Sequence, residues 1–315
     1  MIVFQFPGQG SQAVGMGRAF HDASPAAKAV FAEANDALGF DLARLIFEGP
    51  ESELALTANT QPAVLTASVA AAVACAERGL RPDLTAGHSL GEYSALVVAG
   101  ALAFADAVRI VRRRGELMQE AVPVGTGAMA AILGLDLATV EAVCAEAAPG
   151  PSGREVVDVA NINATGQIVV AGHRAAVERA VTLAASRGGR KSVMLPVSAP
   201  FHCALMSPAA ERLAGELDRV GVSDPAIPVA RNVDGEITRR ADEIKPALLG
   251  QVASPVRWTA CVERLAAEGG DLFVEVGPGR VLTGLLKRIV DGARGFAVED
   301  PAGLEKVLAS GKGGA

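Results

Sequence analysis

Gly87-His88-Ser89-Leu90-Gly91 sets one serine between two glycines, after the short apolar run Leu84-Thr85-Ala86 and before a helical pattern. In G-x-S-x-G the serine occupies a strained strand-to-helix turn, and the glycines keep Cβ atoms out of a place where backbone segments crowd. The expected result is an outward-facing hydroxyl above a helix N-terminus. There the amide of Leu90 and the positive end of the dipole can stabilise a developing oxyanion. Such a serine needs an imidazole to remove its proton. Of the four histidines, His21 lies in a polar helical segment and His173 in a distinct middle segment, and both read as surface residues. His88 sits inside the elbow, its side chain directed away from that of Ser89. His202, on a loop stiffened by Pro200, is the natural general base.

A second residue stands out by phase. Over residues 105–121, at 100° per residue, Ala107, Ile110, Val111, Leu117 and Met118 form one stripe, and Arg109, Arg112, Arg113, Glu116 and Gln119 the opposite face. Arg112 and Arg113 belong to that solvated face. Arg114 falls within the apolar stripe, where a guanidinium is tolerated only beside an anion. That anion is either an internal Asp or Glu or the ligand. A third feature is the loop Pro7-Gly8-Gln9-Gly10-Ser11-Gln12 after the strand 2–6. Its glycines let the Gln9 amide approach another group closely, or they serve a plain strand-to-helix turn.

The elements that must position these residues alternate in type. A mostly buried helix is expected to start at Thr60-Gln61-Pro62 and stop at Gly79, leading into the elbow strand, and the helix after Ser89 to end at Gly100. Residues 127–195 follow a β-α-β-β-α-β order: strand 128–133, helix 137–148, strands 156–161 and 167–171, helix 175–187, strand 192–195. Pro149-Gly150-Pro151-Ser152-Gly153 forms a loop within it. Strands at 227–230 and 272–276 then alternate with helices at 258–267 and 281–290, and Gly277-Pro278-Gly279 reads as a sharp turn. The expected fold class is α/β. Residues 1–126 and 196–315 form an α/β-hydrolase-like catalytic domain with a parallel sheet, and residues 127–195 an inserted ferredoxin-like small domain.

Composition removes whole classes of function. A chain of 315 residues, 50% hydrophobic, can bury a large core. A net charge of −6 and 4% aromatic residues argue against nucleic-acid binding. Cys75, Cys144, Cys203 and Cys261 show no C-x-x-C pairing, so neither a metal site nor a disulfide framework is expected. The chain opens on an apolar strand without a signal-peptide pattern, and the apolar stretch 63–76 is too short and polar to span a bilayer. A cytoplasmic, non-membrane protein is expected.

Several segments together resemble the malonyl-coenzyme A:acyl carrier protein transacylases of fatty acid and polyketide synthesis. They are Phe6 to Gln12, Gly87 to Ser94, Arg114-Gly115, Gly125 to Met129, Asn161-Ile162-Asn163 with Gly166-Gln167, Phe201-His202 and Val274 to Gly279, and the likeness covers nearly the whole chain. The resemblance implies that Ser89 is the nucleophile, His202 the general base and acid, and Arg114 the partner of the malonyl carboxylate. Gln9 and Leu90 would supply oxyanion amides, Gln251 would orient the histidine, and Asn161 and Phe201 would belong to the substrate site. Phe201 resembles the malonyl-type version of its loop. No cofactor is implied beyond the substrate malonyl-coenzyme A and the phosphopantetheine of acyl carrier protein. The chain is expected to be a free-standing monomer. A serine thioesterase or esterase with the same elbow is the alternative, and it would have no use for Arg114. Arg187, Arg190, Lys191, Lys287 and Arg288 are candidates for a basic rim facing the acidic carrier, or are ordinary solvated charges.

Overall fold

The computed structural model describes residues 1–150 and 153–312. Six strands form the larger sheet in the spatial order Ile237–Thr238, Val229–Ala230, Leu84–Gly87, Ile2–Phe6, Leu272–Val276, Arg294–Val298. Every pairing is parallel except that of the two-residue edge strand Ile237–Thr238. The central strands are buried on both faces and mostly apolar, as a parallel sheet covered on two sides requires. Phe4, Phe6, Val274 and Val276 enter one core with the long helix, whereas Val3, Ala86 and Phe273 enter a second core around Trp258.

The long helix spans Thr57–Glu77, so it begins three residues before the expected start, and Pro62 lies inside it. Thr66 Oγ1 donates to the Pro62 carbonyl at 2.7 Å, and residues 60–72 are buried throughout. Burial of the whole segment outweighs the one backbone bond that proline removes. The Arg114 helix runs Phe104–Glu120, one residue from expectation, and packs against the long helix with the predicted stripe. The helix expected at 281–290 is shorter, ending at Leu286, and a further strand, Arg294–Val298, and helix, Pro301–Val307, follow it.

Between these two parts, Val157–Ala164, Gln167–His173, Gly127–Leu133 and Lys191–Met194 form a four-stranded antiparallel sheet in that order. Helices Leu137–Ala147 and Arg174–Ser186 cover it with a separate apolar core. Where a loop is expected at 149–153, Pro149–Gly150 pairs with Gly153–Arg154, and residues 151–152 of that loop lie outside the described residues. Val256 N donates to Ala160 O and Ile162 N to Val256 O, both at 2.9 Å, which ties the strand carrying Asn161 to the larger part. Ala204 N donates to Asp158 Oδ2 at 2.9 Å, tethering the His202 loop to the same strand.

Candidate active site

The elbow strand and the first strand are neighbours in the sheet, so the loops that leave their carboxyl ends meet where open α/β sheets bind ligands. The crowding expected of the elbow is present. A Cβ on Gly87 would lie 1.8 Å from the Gly91 carbonyl carbon, and one on Gly91 would lie 2.1 Å from the Phe6 oxygen. Ser89 itself takes φ +51°, a left-handed conformation that costs a residue with a Cβ about 1–2 kcal/mol. That conformation lifts Oγ off the turn.

Ser89 Oγ meets His202 Nε2 at 2.7 Å. His202 Nδ1 lies 2.8 Å from the backbone oxygen of Gln251. A carbonyl only accepts, so Nδ1 carries the proton and the Nε2 lone pair faces the serine hydroxyl. His202 is 4% exposed. Burial, and then the nearby Arg114 charge, push its pKa down to about 3, so the neutral base is the resting form. Its ring is thus oriented by a backbone atom, whereas the resemblance implied Gln251 without indicating which part of it. His21 and His173 are half-buried and engaged elsewhere: His21 contacts Asp22, Phe31 and Phe47, and His173 accepts from Val156 N. His88 turns away from Ser89 and donates through Nε2 to Asn163 Oδ1 at 2.8 Å.

Arg114 is 2% exposed. Its Nη1 donates to Gln61 Oε1 at 2.8 Å, and its Nη2 to Gln251 Oε1 at 2.9 Å and to Ser89 Oγ at 3.1 Å. All three acceptors are neutral. Among the described residues no carboxylate comes within ion-pair distance of this guanidinium, and its Nε has no partner. Burial lowers its pKa. Of the two anions open to it in the sequence, an internal carboxylate in direct contact is absent. The guanidinium stands beside the nucleophile with donor capacity to spare, which suits an anionic group on a substrate.

The backbone amides of Gln9 and Leu90 make no hydrogen bond to any described residue. Gly8 presses the Gln9 loop onto the elbow, since a Cβ there would lie 2.4 Å from the His88 oxygen. Gln9 Nε2 donates to Thr57 Oγ1 at 3.2 Å, fixing the loop to the long helix. These amides, Ser89, His202 and Arg114 share a cavity of about 600 Å³ with Phe201, Asn161, Gln61, Met118 and Val281. Phe201 and Asn161 are buried in its wall. Gln251 stands behind it, joining His202 through its backbone and Arg114 through its side chain.

Sequence reasoning did not reach the layer beneath. Asn232 accepts the Ser89 amide on Oδ1 at 2.6 Å and donates from Nδ2 to the Gly87 oxygen at 2.8 Å. Glu92 Oε2 accepts from Asn232 N at 3.0 Å and from Gln251 Nε2 at 2.7 Å. The Glu92 carboxyl is pushed up to about 7, first by burial, against the pull of those donors. Asn232 carries no local sequence mark, whereas Glu92 is a charge within the otherwise uncharged run of the elbow helix. Among the described residues no group of three or more His, Cys, Asp or Glu side chains is placed to hold a metal ion.

Residues 3–306 match the acyl transferase domain family. The chain is 51% identical over 308 residues, 98% of each chain, to a malonyl CoA-acyl carrier protein transacylase of Escherichia coli K12. It is 48% identical over 307 residues to one of Bacillus subtilis, covering 98% of this chain and 96% of that one. An acyl carrier protein S-malonyltransferase of Vibrio cholerae superposes with a TM-score of 0.94 at 50% identity, covering 97% and 99% of the two chains. A malonyl-transacylase solved in complex with a type II polyketide synthase acyl-carrier protein superposes with the same TM-score at 48% identity, covering 98% and 99%.

Proposed function

The chain belongs to the acyl transferase domain family, and from that premise and the geometry around Ser89 we propose that it moves a malonyl group from malonyl-coenzyme A to the phosphopantetheine thiol of acyl carrier protein. The observation that carries this reading is Arg114: a buried cation 3.1 Å from the nucleophile, with no contacting anion among the described residues. His202 Nε2 takes the Ser89 proton as Oγ attacks the thioester carbonyl, and the amides of Gln9 and Leu90 receive the oxyanion. Collapse expels coenzyme A, whose sulfur takes the proton from Nε2, and leaves a malonyl-serine ester. The carrier thiol then gives its proton to Nε2, attacks the ester, and Ser89 leaves with that proton. A neutral carbonyl on Nδ1 stabilises imidazolium less than a carboxylate would, which suits exchange between thioesters because a thiolate leaves readily. Side chains and backbone amides carry each step. A thioesterase or esterase would place no buried cation against its acyl group.

The proposal takes residues 127–195 as a small domain inserted in the catalytic one, and Met129, Asn161 and Val169 of that segment line the cavity. A cytoplasmic monomer is part of the same proposal. Among the described residues no helix is long and apolar enough to cross a membrane.

Intact-mass measurement tests the function. Incubation with malonyl-coenzyme A should add one malonyl mass, absent in Ser89→Ala and discharged by carrier protein. Turnover to free malonate without an adduct would make the protein a hydrolase.

The proposal extends to a basic rim that steers the acidic carrier. Lys191 and Gln167 lie at one end of the smaller sheet, flanking Leu133 in register. Arg288 reaches that end, donating to Gln167 Oε1 at 2.6 Å and Thr165 O at 2.8 Å, and Arg190 is exposed beside it. Arg187 is paired with Glu146 and so contributes less. Steering of an acidic carrier by Arg190, Lys191, Lys287 and Arg288 would make its rate fall with salt. Transfer to carrier protein is therefore expected to slow by about tenfold between 0.05 and 0.5 M salt, with little change for free pantetheine. Equal salt dependence for both acceptors would remove the rim.

A further inference from the structure

Ser89 is held in its strained conformation from both of its peptide groups. Asn232 Oδ1 takes its amide at 2.6 Å, and Gln251 Nε2 gives to its carbonyl at 3.1 Å. Both holders are carboxamides, and a carboxamide works in one direction only: its oxygen accepts and its nitrogen donates. One atom is common to the two. We propose that Glu92 is a positioning residue whose Oε2 fixes both amides, and through them the registry of Ser89 and Arg114. This inference rests on the transacylase reading, because its readout uses two acyl donors.

Glu92 lies in the first turn of the helix Gly91–Val98, three residues after Ser89, so its side chain folds back beneath the elbow. It is 2% exposed and does not line the cavity. Consider Gln251 turned end for end. Its oxygen would face Glu92 Oε2 and the Ser89 carbonyl, two acceptors, and its NH2 would face the Arg114 guanidinium, a donor. The acceptor at Oε2 therefore commits Gln251 Oε1 to Arg114, and that bond aims Nη2 at Ser89 Oγ. On the other side, Oε2 takes the Asn232 backbone amide, which fixes the residue that bridges Ser89 N and Gly87 O. Asn232 makes no hydrogen bond to Arg114, and its link to the other arm is a long one, Gln251 Nε2 donating to its Oδ1 at 3.5 Å. Glu92 governs both arms, and Asn232 chiefly the serine arm.

Three variants separate acceptor position from charge. Rates are taken with malonyl- and acetyl-coenzyme A, per mole of Ser89 that a serine-directed reagent can label, which corrects for misfolded chains. Glu92→Gln keeps an acceptor oxygen in place without the charge and should stay within about threefold of wild type for both donors. Glu92→Asp keeps the charge and draws the acceptor back by about 1.5 Å, one carbon–carbon bond. It should lose about tenfold with acetyl and about a hundredfold with malonyl, because the Arg114 arm matters only to the donor with a carboxylate. Asn232→Ala should lose about tenfold with both donors alike. A Glu92→Asp variant near wild type, a Glu92→Gln variant as impaired as Glu92→Asp, or an unchanged malonyl-to-acetyl ratio in Glu92→Asp would each overturn the proposal. A merely structural Glu92 would leave that ratio untouched. Wild-type protein that takes acetyl but not malonyl would overturn the transacylase reading alone, and the Gln-versus-Asp contrast would then be judged on acetyl transfer.

Discussion

Replacement of His202 by alanine is expected to lower kcat/KM for malonyl and acetyl donors equally, by about 10³- to 10⁵-fold. The imidazole is 2.7 Å from Ser89 Oγ and is the group there with a free lone pair, and it serves the proton rather than the acyl group. Loss of the base should therefore be blind to the donor's carboxylate. The variant should still bind malonyl-coenzyme A, since Arg114 and the oxyanion amides remain. A loss below tenfold, or one confined to malonyl, would remove His202 from the role of base.

The same residue predicts a pH dependence. With its pKa held near 3, His202 stays neutral through the working range. Acylation measured as kcat/KM should then show no acid limb from this group between pH 8 and pH 5, and a limb near 6.5 would mean an imidazole as solvated as a free one. The effect on stability has a definite sign. The folded pKa lies below the unfolded value of about 6.5, so the contribution is complete above pH 6.5 and is lost as pH falls towards 3, by at most about 5 kcal/mol. Glu92, whose folded pKa is raised, acts in the opposite sense between about 7 and 4.5, but it is present in both wild type and His202→Ala. Melting curves of the two proteins from pH 7 to 4 should converge if destabilisation of wild type by acid runs through His202. Parallel curves would place that acid sensitivity elsewhere.

The legible residues were those with a local signature. Ser89 is announced by its flanking glycines, Arg114 by helical phase, and His202 by the short supply of histidines. The alternation of elements showed the α/β class for the same reason, since each period is visible within a dozen residues. Asn232 and Gln251 had no such mark. Asn232 lies just after a two-residue strand, Val229–Ala230, and bonds to Ser89 across 143 positions of sequence. The group that orients His202 is a backbone carbonyl, which no residue type announces. The early start of the long helix was hidden because Pro62 is a helix-start signal by local rules, and tertiary burial overrode it. What composition and periodicity left unread was the second layer, built entirely from bonds between residues far apart in sequence.

Arg114→Ala should change which donor the protein prefers. The guanidinium is buried, beside the nucleophile, and among the described residues it meets only neutral acceptors. A malonyl carboxylate placed there gains a charge-assisted pair, and with alanine it would be stranded in a poorly solvated cavity. The expected loss is about 3–5 kcal/mol, or roughly two to three and a half orders of magnitude in kcat/KM for malonyl-coenzyme A. Acetyl-coenzyme A has no carboxylate to strand. Its loss comes only through the freed Gln251 and the missing Nη2 donor at Ser89 Oγ, and should stay within about tenfold. Lysine at 114 should recover part of the malonyl rate, because an ammonium supplies charge without two parallel donors. Stability bears on the same question. A buried cation without a contacting anion costs desolvation, so its removal should leave the melting temperature level or raise it, whereas breaking a structural salt bridge would lower it. Equal losses for the two donors together with a lowered melting temperature would make Arg114 a structural residue, and the anion that the cavity is built to receive would then have to be sought at another cation.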